Sequence, residues 1–104
     1  MAKIGVIGAG SWGTALSVLL HNNGNEVTVW SIDPGEVQML TEKREHEKKL
    51  PGVKLPEDMQ ITGDLEGTIK GKDFLVLAVP SPFTRATAKK MNPFVAEGQI
   101  IVDV

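Results

Sequence analysis

The sequence contains no cysteine and no tyrosine, and aromatic residues make up only 5% of it. Without cysteine the chain has no disulfide framework, no thiolate ligand for a metal and no cysteine nucleophile. Neither sign of charge dominates, since the formal net charge is -2 at pH 7. No basic field is therefore available to hold a nucleic-acid backbone, and we expect no nucleic-acid partner. What remains is the composition of an ordinary globular domain, and 104 residues suit a single one.

Long hydrophobic runs are also missing. The segment 4–20 carries no charge, but glycines interrupt it at Gly5, Gly8, Gly10 and Gly13. A spanning helix needs about 20 mainly apolar residues, and a signal peptide needs a small-residue cleavage site that is not evident here. We therefore expect no membrane span and a cytoplasmic location.

Short apolar runs alternate with helical segments along the whole chain. Strands are predicted at 3–7, 26–30, 59–62, 74–79 and 99–104. Helices are predicted at 11–22, from 34 onward, at 64–69 and at 81–91. This alternation predicts an α/β fold, a doubly wound and mainly parallel sheet of the Rossmann type. We expect residues 1–104 to form one dinucleotide-binding domain, and, because the sequence stops inside a predicted strand, to be a fragment of a longer enzyme.

The predicted helices carry specific expectations about burial and capping. In the first helix an apolar stripe should face inward, formed by Trp12, Ala15, Leu16, Leu19 and Leu20. The second helix should begin with Asp33 as its N-cap and Pro34 at its first position, and Glu36 should complete a capping box. The charged segment 42–49 is expected to continue that helix as a solvated end, whereas 50–56, with its prolines, is not helical.

The segment Gly8–Gly13 reads G-x-G-x-x-G, directly after a predicted strand and at the start of a predicted helix. This context is the one in which the pattern predicts dinucleotide binding. Gly8 would permit the tight turn, Gly10 would let a pyrophosphate approach the backbone, and Gly13 would let the helix pack on the strand. The alternative is a tight strand-to-helix turn without a ligand.

Phosphate groups would meet the free amides of Ser11, Trp12 and Gly13 at the positive end of the helix dipole. A nucleotide-triphosphate loop is excluded, because such a loop needs a lysine after its last glycine, and here Thr14 and Ala15 follow. Kinase and ATPase functions therefore lose their main support.

The loop after the second strand indicates which dinucleotide is preferred. Ser31 occupies the usual place of the ribose-binding acid, and Asp33 follows two residues later. Ile32 could offer an apolar surface to the adenine. No arginine or lysine lies close to Trp30 to hold a 2′-phosphate, which favours NAD slightly over NADP. The basic segment 43–49 could still fold back and supply a cation.

Other candidates for chemistry are few. His21 and His46 have no second histidine or carboxylate at the spacing of a metal site, so we expect surface or capping roles and no metal site. Ser81 is expected to cap a helix. Pro80 and Phe83 follow the fourth strand at the ligand-facing edge of the sheet, where Phe83 could flank the nicotinamide or pack in the core.

The motifs together resemble the bacterial NAD(P)-dependent sn-glycerol-3-phosphate dehydrogenases. The resemblance extends over the whole chain and is carried by Gly8–Leu16, Asn23–Val27, Asp33-Pro34, Leu50–Pro56 and Leu77–Ser81. It implies reversible hydride transfer between NAD(P)H and dihydroxyacetone phosphate, a small phosphorylated substrate, giving sn-glycerol 3-phosphate for phospholipid synthesis.

The resemblance also implies cofactor contacts at Ser11, Trp12, Ile32, Asp33 and Lys49. Members of the family commonly carry a basic residue at the position of Ile32 or Asp33 and an aromatic residue where Lys49 stands.

The resemblance implies no catalytic residue within the chain itself. The family's catalytic residues are expected beyond Val104, in a short following segment and in a C-terminal helical domain, so the chain alone is expected to be inactive. Two alternatives stay open: another Rossmann-type dehydrogenase acting on a hydroxy acid or an imine, and a non-catalytic NAD-sensing module. Nothing in the sequence indicates an oligomeric state.

Overall fold

The computed structural model describes residues 2–104 apart from the side chain of Ser81, so the capping role predicted for that side chain lies outside the described residues. Five strands are present, β1 Lys3–Ile7, β2 Glu26–Trp30, β3 Gln60–Thr62, β4 Phe74–Leu77 and β5 Ile100–Asp103. Four α-helices alternate with them, α1 Ser11–Asn22, α2 Pro34–Lys43, α3 Leu65–Ile69 and α4 Thr84–Met91. The strands form one sheet in the order β3-β2-β1-β4-β5, and every neighbouring pair is parallel. The doubly wound α/β fold is confirmed.

Helices cover both faces of the sheet. Since alternate residues of a strand point to opposite faces, each strand contributes side chains to both layers of helices. In β1, Val6 belongs to a buried cluster with Leu40 of α2, against which residues of α1 pack. The next residue, Ile7, belongs to a second cluster with Ile69 of α3 and Met91 of α4. The central strand is thus buried on both sides, as its apolar run predicts.

The buried face of α1 differs from the predicted apolar stripe. Trp12 and Leu19 are 57% and 56% exposed, whereas Gly13, Thr14 and Ser17 are buried. The helix lies against the loop after β1 so closely that only small side chains fit. The hydroxyl of Ser17 donates to the carbonyl of Gly13 at 2.7 Å, which satisfies this buried polar group within the helix.

The predicted helical continuation through 42–49 is wrong. Helix α2 ends at Lys43 because Arg44 adopts a left-handed conformation with φ of 54°. The guanidinium of Arg44 then donates to the carbonyl of Met59 at 2.7 Å, which fixes the direction of the chain. The following residues form a turn closed by a bridge between His46 and Leu50, and the segment 50–56 is non-helical as predicted.

The last predicted strand, 99–104, is one residue too long at each end. Strand β5 covers Ile100–Asp103, so Gln99 and Val104 lie outside it. Val104 still follows the direction of the strand, because its N–H donates to the carbonyl of Leu77 at 3.1 Å. The pattern of apolar residues cannot mark this boundary, since Val104 is as apolar as the strand residues before it.

The remaining boundaries differ from the predictions by a few residues. Strand β4 ends at Leu77, two residues early, and a single 3-10 turn, Ser81–Phe83, precedes α4. No helix within residues 2–104 is both long enough and apolar enough to cross a membrane.

Candidate functional site

A cleft of about 360 Å³ opens beyond the carboxyl ends of β1, β2 and β4. Its walls include Gly10, Ile32, Glu36, Lys49 and Phe83. In doubly wound sheets the ligand lies beyond the carboxyl ends of the strands, where crossovers leave the central strand in opposite directions. The strand order places that point at β1, between β2 and β4, so the cleft lies where the fold predicts a ligand.

Two glycines of the loop after β1 are required by packing within the protein. Gly8 has a φ of +121°, and a Cβ there would lie 2.7 Å from the carbonyl oxygen of Ala78. A Cβ on Gly13 would overlap the carbonyl oxygen of Gly8. Glycine at these two positions lets the loop pass close to Ala78, just after β4, and lets α1 pack against the loop. Both agree with the roles predicted for them.

Gly10 differs from both, because no described heavy atom beyond its two chain neighbours lies within 4 Å of the position that its Cβ would occupy. Its φ of -70° is open to any residue, so neither packing nor backbone strain requires glycine here. The missing side chain leaves open space at the end of α1, as expected if a ligand occupies it.

Helix α1 begins at this open space without a side-chain cap. Gly10 is its N-cap, no acidic residue lies in its first turn, and the first intrahelical hydrogen bond runs from the N–H of Thr14 to the carbonyl of Gly10 at 2.9 Å. The amides of Ser11, Trp12 and Gly13 therefore have no acceptor within the helix. These three residues do not themselves line the cleft, but their amides follow directly on Gly10, which does. The arrangement fits the pyrophosphate of a dinucleotide.

At the end of β2 three consecutive residues have different surroundings. Ser31 is buried, Ile32 is 68% exposed beside the cleft, and Asp33 is exposed. Asp33 Oδ1 accepts a hydrogen bond from the N–H of Gly35 at 2.9 Å, which confirms it as the cap of α2. Ile32 thus presents an apolar surface, and one carboxylate oxygen of Asp33 is already engaged.

Glu36 does not complete the predicted capping box. Its carboxylate accepts from the Ser31 hydroxyl at 2.5 Å and lies 2.8 Å from Nε2 of His46. His46 is only 2% exposed and accepts from the N–H of Lys49 at 3.3 Å, so of the two predicted roles the surface one is wrong for it and the capping one agrees. His21 lies at the surface beside Asp58 at 2.9 Å. Sequence reasoning missed the partnership of Glu36 and His46, because it depends on the turn that Arg44 creates.

The basic segment does fold back toward the cleft. Lys49 lines it, and Nζ of Lys49 lies 3.9 Å from Oε2 of Glu36. On the opposite wall Pro80 and the 61%-exposed Phe83 face the cleft, and Lys90 of α4, which the sequence did not single out, joins them. Phe83 is therefore not a core residue within the described chain. The described residues contain no group of three His, Cys, Asp or Glu side chains placed to hold a metal.

Val104, beyond which the catalytic residues are expected, is not itself part of the site. Its side chain is 47% exposed, and it does not line the cleft. It lies one residue past the end of β5, an edge strand separated from the central strand β1 by β4. The cleft walls are instead built by segments that follow β1, β2 and β4.

Comparison with known proteins agrees with the resemblance seen in the sequence. Residues 3–104 match the family model described as the NAD-dependent glycerol-3-phosphate dehydrogenase N-terminus. The chain belongs to this family. It is 64% identical over 104 residues to a glycerol-3-phosphate dehydrogenase [NAD(P)+] of Agathobacter rectalis, covering 100% of this chain and 31% of that protein. A second, from Fusobacterium nucleatum, is 46% identical with the same coverage.

The fold agrees equally well with that of a solved family member. The crystal structure of glycerol-3-phosphate dehydrogenase from Coxiella burnetii matches with a TM-score of 0.92 and 28% identity, over 98% of this chain and 31% of that one. The chain therefore spans about a third of the length of its curated relatives and corresponds to the N-terminal, cofactor-binding part of the family.

Proposed function

We propose that residues 1–104 form one domain that binds a nicotinamide dinucleotide, in an enzyme that transfers hydride between NAD(P)H and dihydroxyacetone phosphate to give sn-glycerol 3-phosphate. The observation that carries this proposal is the open space at Gly10, next to the uncapped amides of α1 and inside the cleft. The substrate, the supply of sn-glycerol 3-phosphate for phospholipid synthesis, the cytoplasmic location and the placing of the catalytic residues beyond Val104 rest on the family relationship.

Each part of the dinucleotide has a candidate surface in the cleft or directly beside it. The amides of Ser11 and Trp12 would hold the pyrophosphate, and Ile32 at the end of β2 would lie against the adenine. Pro80 and Phe83, beyond β4 on the opposite wall, would flank the nicotinamide. When bound, the nicotinamide supplies the carbon that donates or accepts the hydride.

The charges on the β2 side of the cleft favour NADH over NADPH. A 2′-phosphate carries close to two negative charges and is normally held by arginine or lysine. Here Asp33 and Glu36 stand on the β2 side of the cleft, and the nearby cation, Lys49, lies 3.9 Å from Glu36. Two carboxylates beside one cation leave the surroundings of the ribose unfavourable to a phosphate, by about 1–2 kcal/mol in binding free energy, the scale of one charge-assisted hydrogen bond.

Titration of the chain with NADH and NADPH, by calorimetry at one salt concentration, tests the proposal. We expect both dinucleotides to bind and NADH to bind more tightly; a fixed salt concentration is needed because ions screen charge effects. A folded chain that binds neither dinucleotide would contradict the proposed function. NADPH binding as tight as NADH would contradict only the preference, and would show that Lys49 governs the ribose side of the cleft.

A further inference from the structure

Three hydrogen-bonded side chains lie together beside the cleft at the end of β2. Ser31 Oγ donates to Glu36 Oε1 at 2.5 Å, and Glu36 Oε2 lies 2.8 Å from His46 Nε2. Ser31 is 3% exposed, and the side chains of His46 and Glu36 are 2% and 15% exposed. Buried polar groups are normally hydrogen-bonded, and each oxygen of the Glu36 carboxylate has one such partner. These two contacts hold the carboxylate in one position.

The backbone of Lys49 settles which nitrogen of His46 carries the proton. The N–H of Lys49 donates to Nδ1 of His46 at 3.3 Å. An N–H group can only donate, so Nδ1 offers a lone pair and the neutral ring carries its proton on Nε2. His46 therefore donates to Glu36, and both carboxylate oxygens accept a hydrogen bond from a buried partner.

The same histidine ties the turn 46–50 to helix α2. Because His46 joins the backbone of Lys49 to the carboxylate of Glu36, it holds the turn against the first turn of the helix. Nζ of Lys49 lies 3.9 Å from Oε2 of Glu36. His46 thus positions the carboxylate of Glu36 and the backbone of Lys49 on this side of the cleft.

We propose that Glu36 is the residue that distinguishes an adenosine 2′-hydroxyl from a 2′-phosphate, and that His46 is its positioning residue; this rests on the proposed dinucleotide binding. A carboxylate has about four acceptor sites, so after Ser31 and His46 are served it can still accept from a ribose hydroxyl. A 2′-phosphate would instead meet a carboxylate that is held through both oxygens. Asp33 lies nearby, but it is exposed and turned toward Gly35.

The first test compares charge-removing variants by their ratio of Kd for NADPH to Kd for NADH. For Glu36→Gln we expect the ratio to fall about tenfold, the scale of one like-charge contact removed. Glu42→Gln is the matched control, because Glu42 lies on the same helix, is exposed, pairs with Gln38 at 3.3 Å and does not line the cleft. Asp33→Asn should lower the ratio much less than Glu36→Gln does, because Asp33 is exposed and turned toward Gly35. Equal ratios for Glu36→Gln and Glu42→Gln, or a shift in Asp33→Asn alone, would overturn the assignment.

A second measurement keeps the test valid if Glu36→Gln fails to fold. NADH that lacks the adenosine 2′-hydroxyl should bind the wild type about tenfold to a hundredfold more weakly than NADH, the effect of one hydrogen bond to a charged group. The same loss should persist in Asp33→Asn, because that variant leaves Glu36 untouched. If Asp33→Asn binds both ligands equally well, Asp33 and not Glu36 is the partner of the hydroxyl.

The role of His46 is tested by two substitutions at the one position. Glutamine can still donate to Glu36 and accept from the N–H of Lys49, whereas alanine can do neither. His46→Ala should lower the ratio toward that of Glu36→Gln, and His46→Gln should restore it at least in part. A folded His46→Ala with the wild-type ratio would show that the histidine supports only the fold. If the wild type binds neither dinucleotide, the proposed function is overturned. If it binds them and Glu36→Gln has the same ratio of Kd values as the wild type, only this inference is overturned.

Discussion

Replacing Gly10 by valine tests whether the open space at the start of α1 belongs to the cofactor. No described heavy atom beyond the two chain neighbours lies within 4 Å of the added Cβ, and the φ of -70° accepts a branched residue. The cost to the fold is then the loss of a favourable N-cap residue, about 1 kcal/mol or less. The reduced freedom of the unfolded chain offsets part of it, by about 0.4–1 kcal/mol. The free energy of unfolding should change little.

Binding should respond far more strongly, because the valine side chain occupies the volume that a pyrophosphate needs. A hydrogen bond to a charged group contributes about 1.5–3 kcal/mol. If the side chain prevents two such bonds, the loss is at least about 3 kcal/mol, which is roughly a hundredfold in Kd. Gly10→Val should therefore fold like the wild type and show no measurable binding at concentrations that saturate the wild type.

Gly13→Ala is the contrasting variant for this experiment. Its Cβ would overlap the carbonyl oxygen of Gly8, and a backbone atom cannot move aside as the end of a side chain can. Overpacking of this kind costs about 1–3 kcal/mol or more, so this variant should lose stability.

Thermal unfolding followed by circular dichroism, together with calorimetric titration of NADH, separates the two effects. The reasoning is refuted if a folded Gly10→Val binds NADH as tightly as the wild type. It is equally refuted if Gly10→Val unfolds while Gly13→Ala does not.

Three further predictions concern activity, packing and pH. The isolated chain should show no NADH oxidation that depends on dihydroxyacetone phosphate. It spans only 31% of the length of a curated relative, and catalysis needs substrate and nicotinamide held in register. Steady turnover by the pure chain would contradict this prediction. Trp30→Phe should lower the Tm by about 5 °C, because it removes the 3.1 Å hydrogen bond from the indole N–H to the Gly63 carbonyl, and an unchanged Tm would show that this bond is unimportant. The hydrogen bond from the N–H of Gly52 and, to a smaller extent, the ammonium of Lys54 lower the pKa of Glu45. The contribution of Glu45 to the free energy of unfolding is therefore full above its ordinary pKa and is lost as the pH falls through the lowered value. Urea midpoints from about pH 6 to about pH 3 should therefore fall less steeply for Glu45→Gln than for the wild type, and parallel curves would contradict the sign.

The alternation of strands and helices and the position of the glycine loop could be predicted from the sequence, because both depend on local chemistry. The observed bounds of β1, α1 and β2 equal the predicted ones, and Asp33 caps α2 as its place before Pro34 indicates. Buried parallel strands have a continuous apolar run, and a cap needs only a side chain that reaches the next turn. Such features need no knowledge of distant residues.

The inward face of α1 could not be predicted in the same way. A hydrophobic stripe points inward where a helix lies at the usual distance from its neighbours, with side chains filling the space between them. Here Gly13 lies almost against Gly8, so small residues face the sheet while Trp12 and Leu19 lie outside. The distance between a helix and the loop beneath it belongs to the tertiary structure, not to the periodicity of the sequence.

Local patterns along the chain were enough to predict the fold class, the class of ligand and the loop proposed to hold it, because a G-x-G-x-x-G segment between a strand and a helix has one dominant use. The choice of Glu36 as the carboxylate proposed for the ribose side of the cleft came from tertiary contacts. These contacts depend on the left-handed conformation of Arg44, which turns the chain so that His46 reaches Glu36 from ten residues away. The predicted continuation of α2 through 42–49 could not reveal this contact, since spacing describes neighbours only for as long as the helix continues.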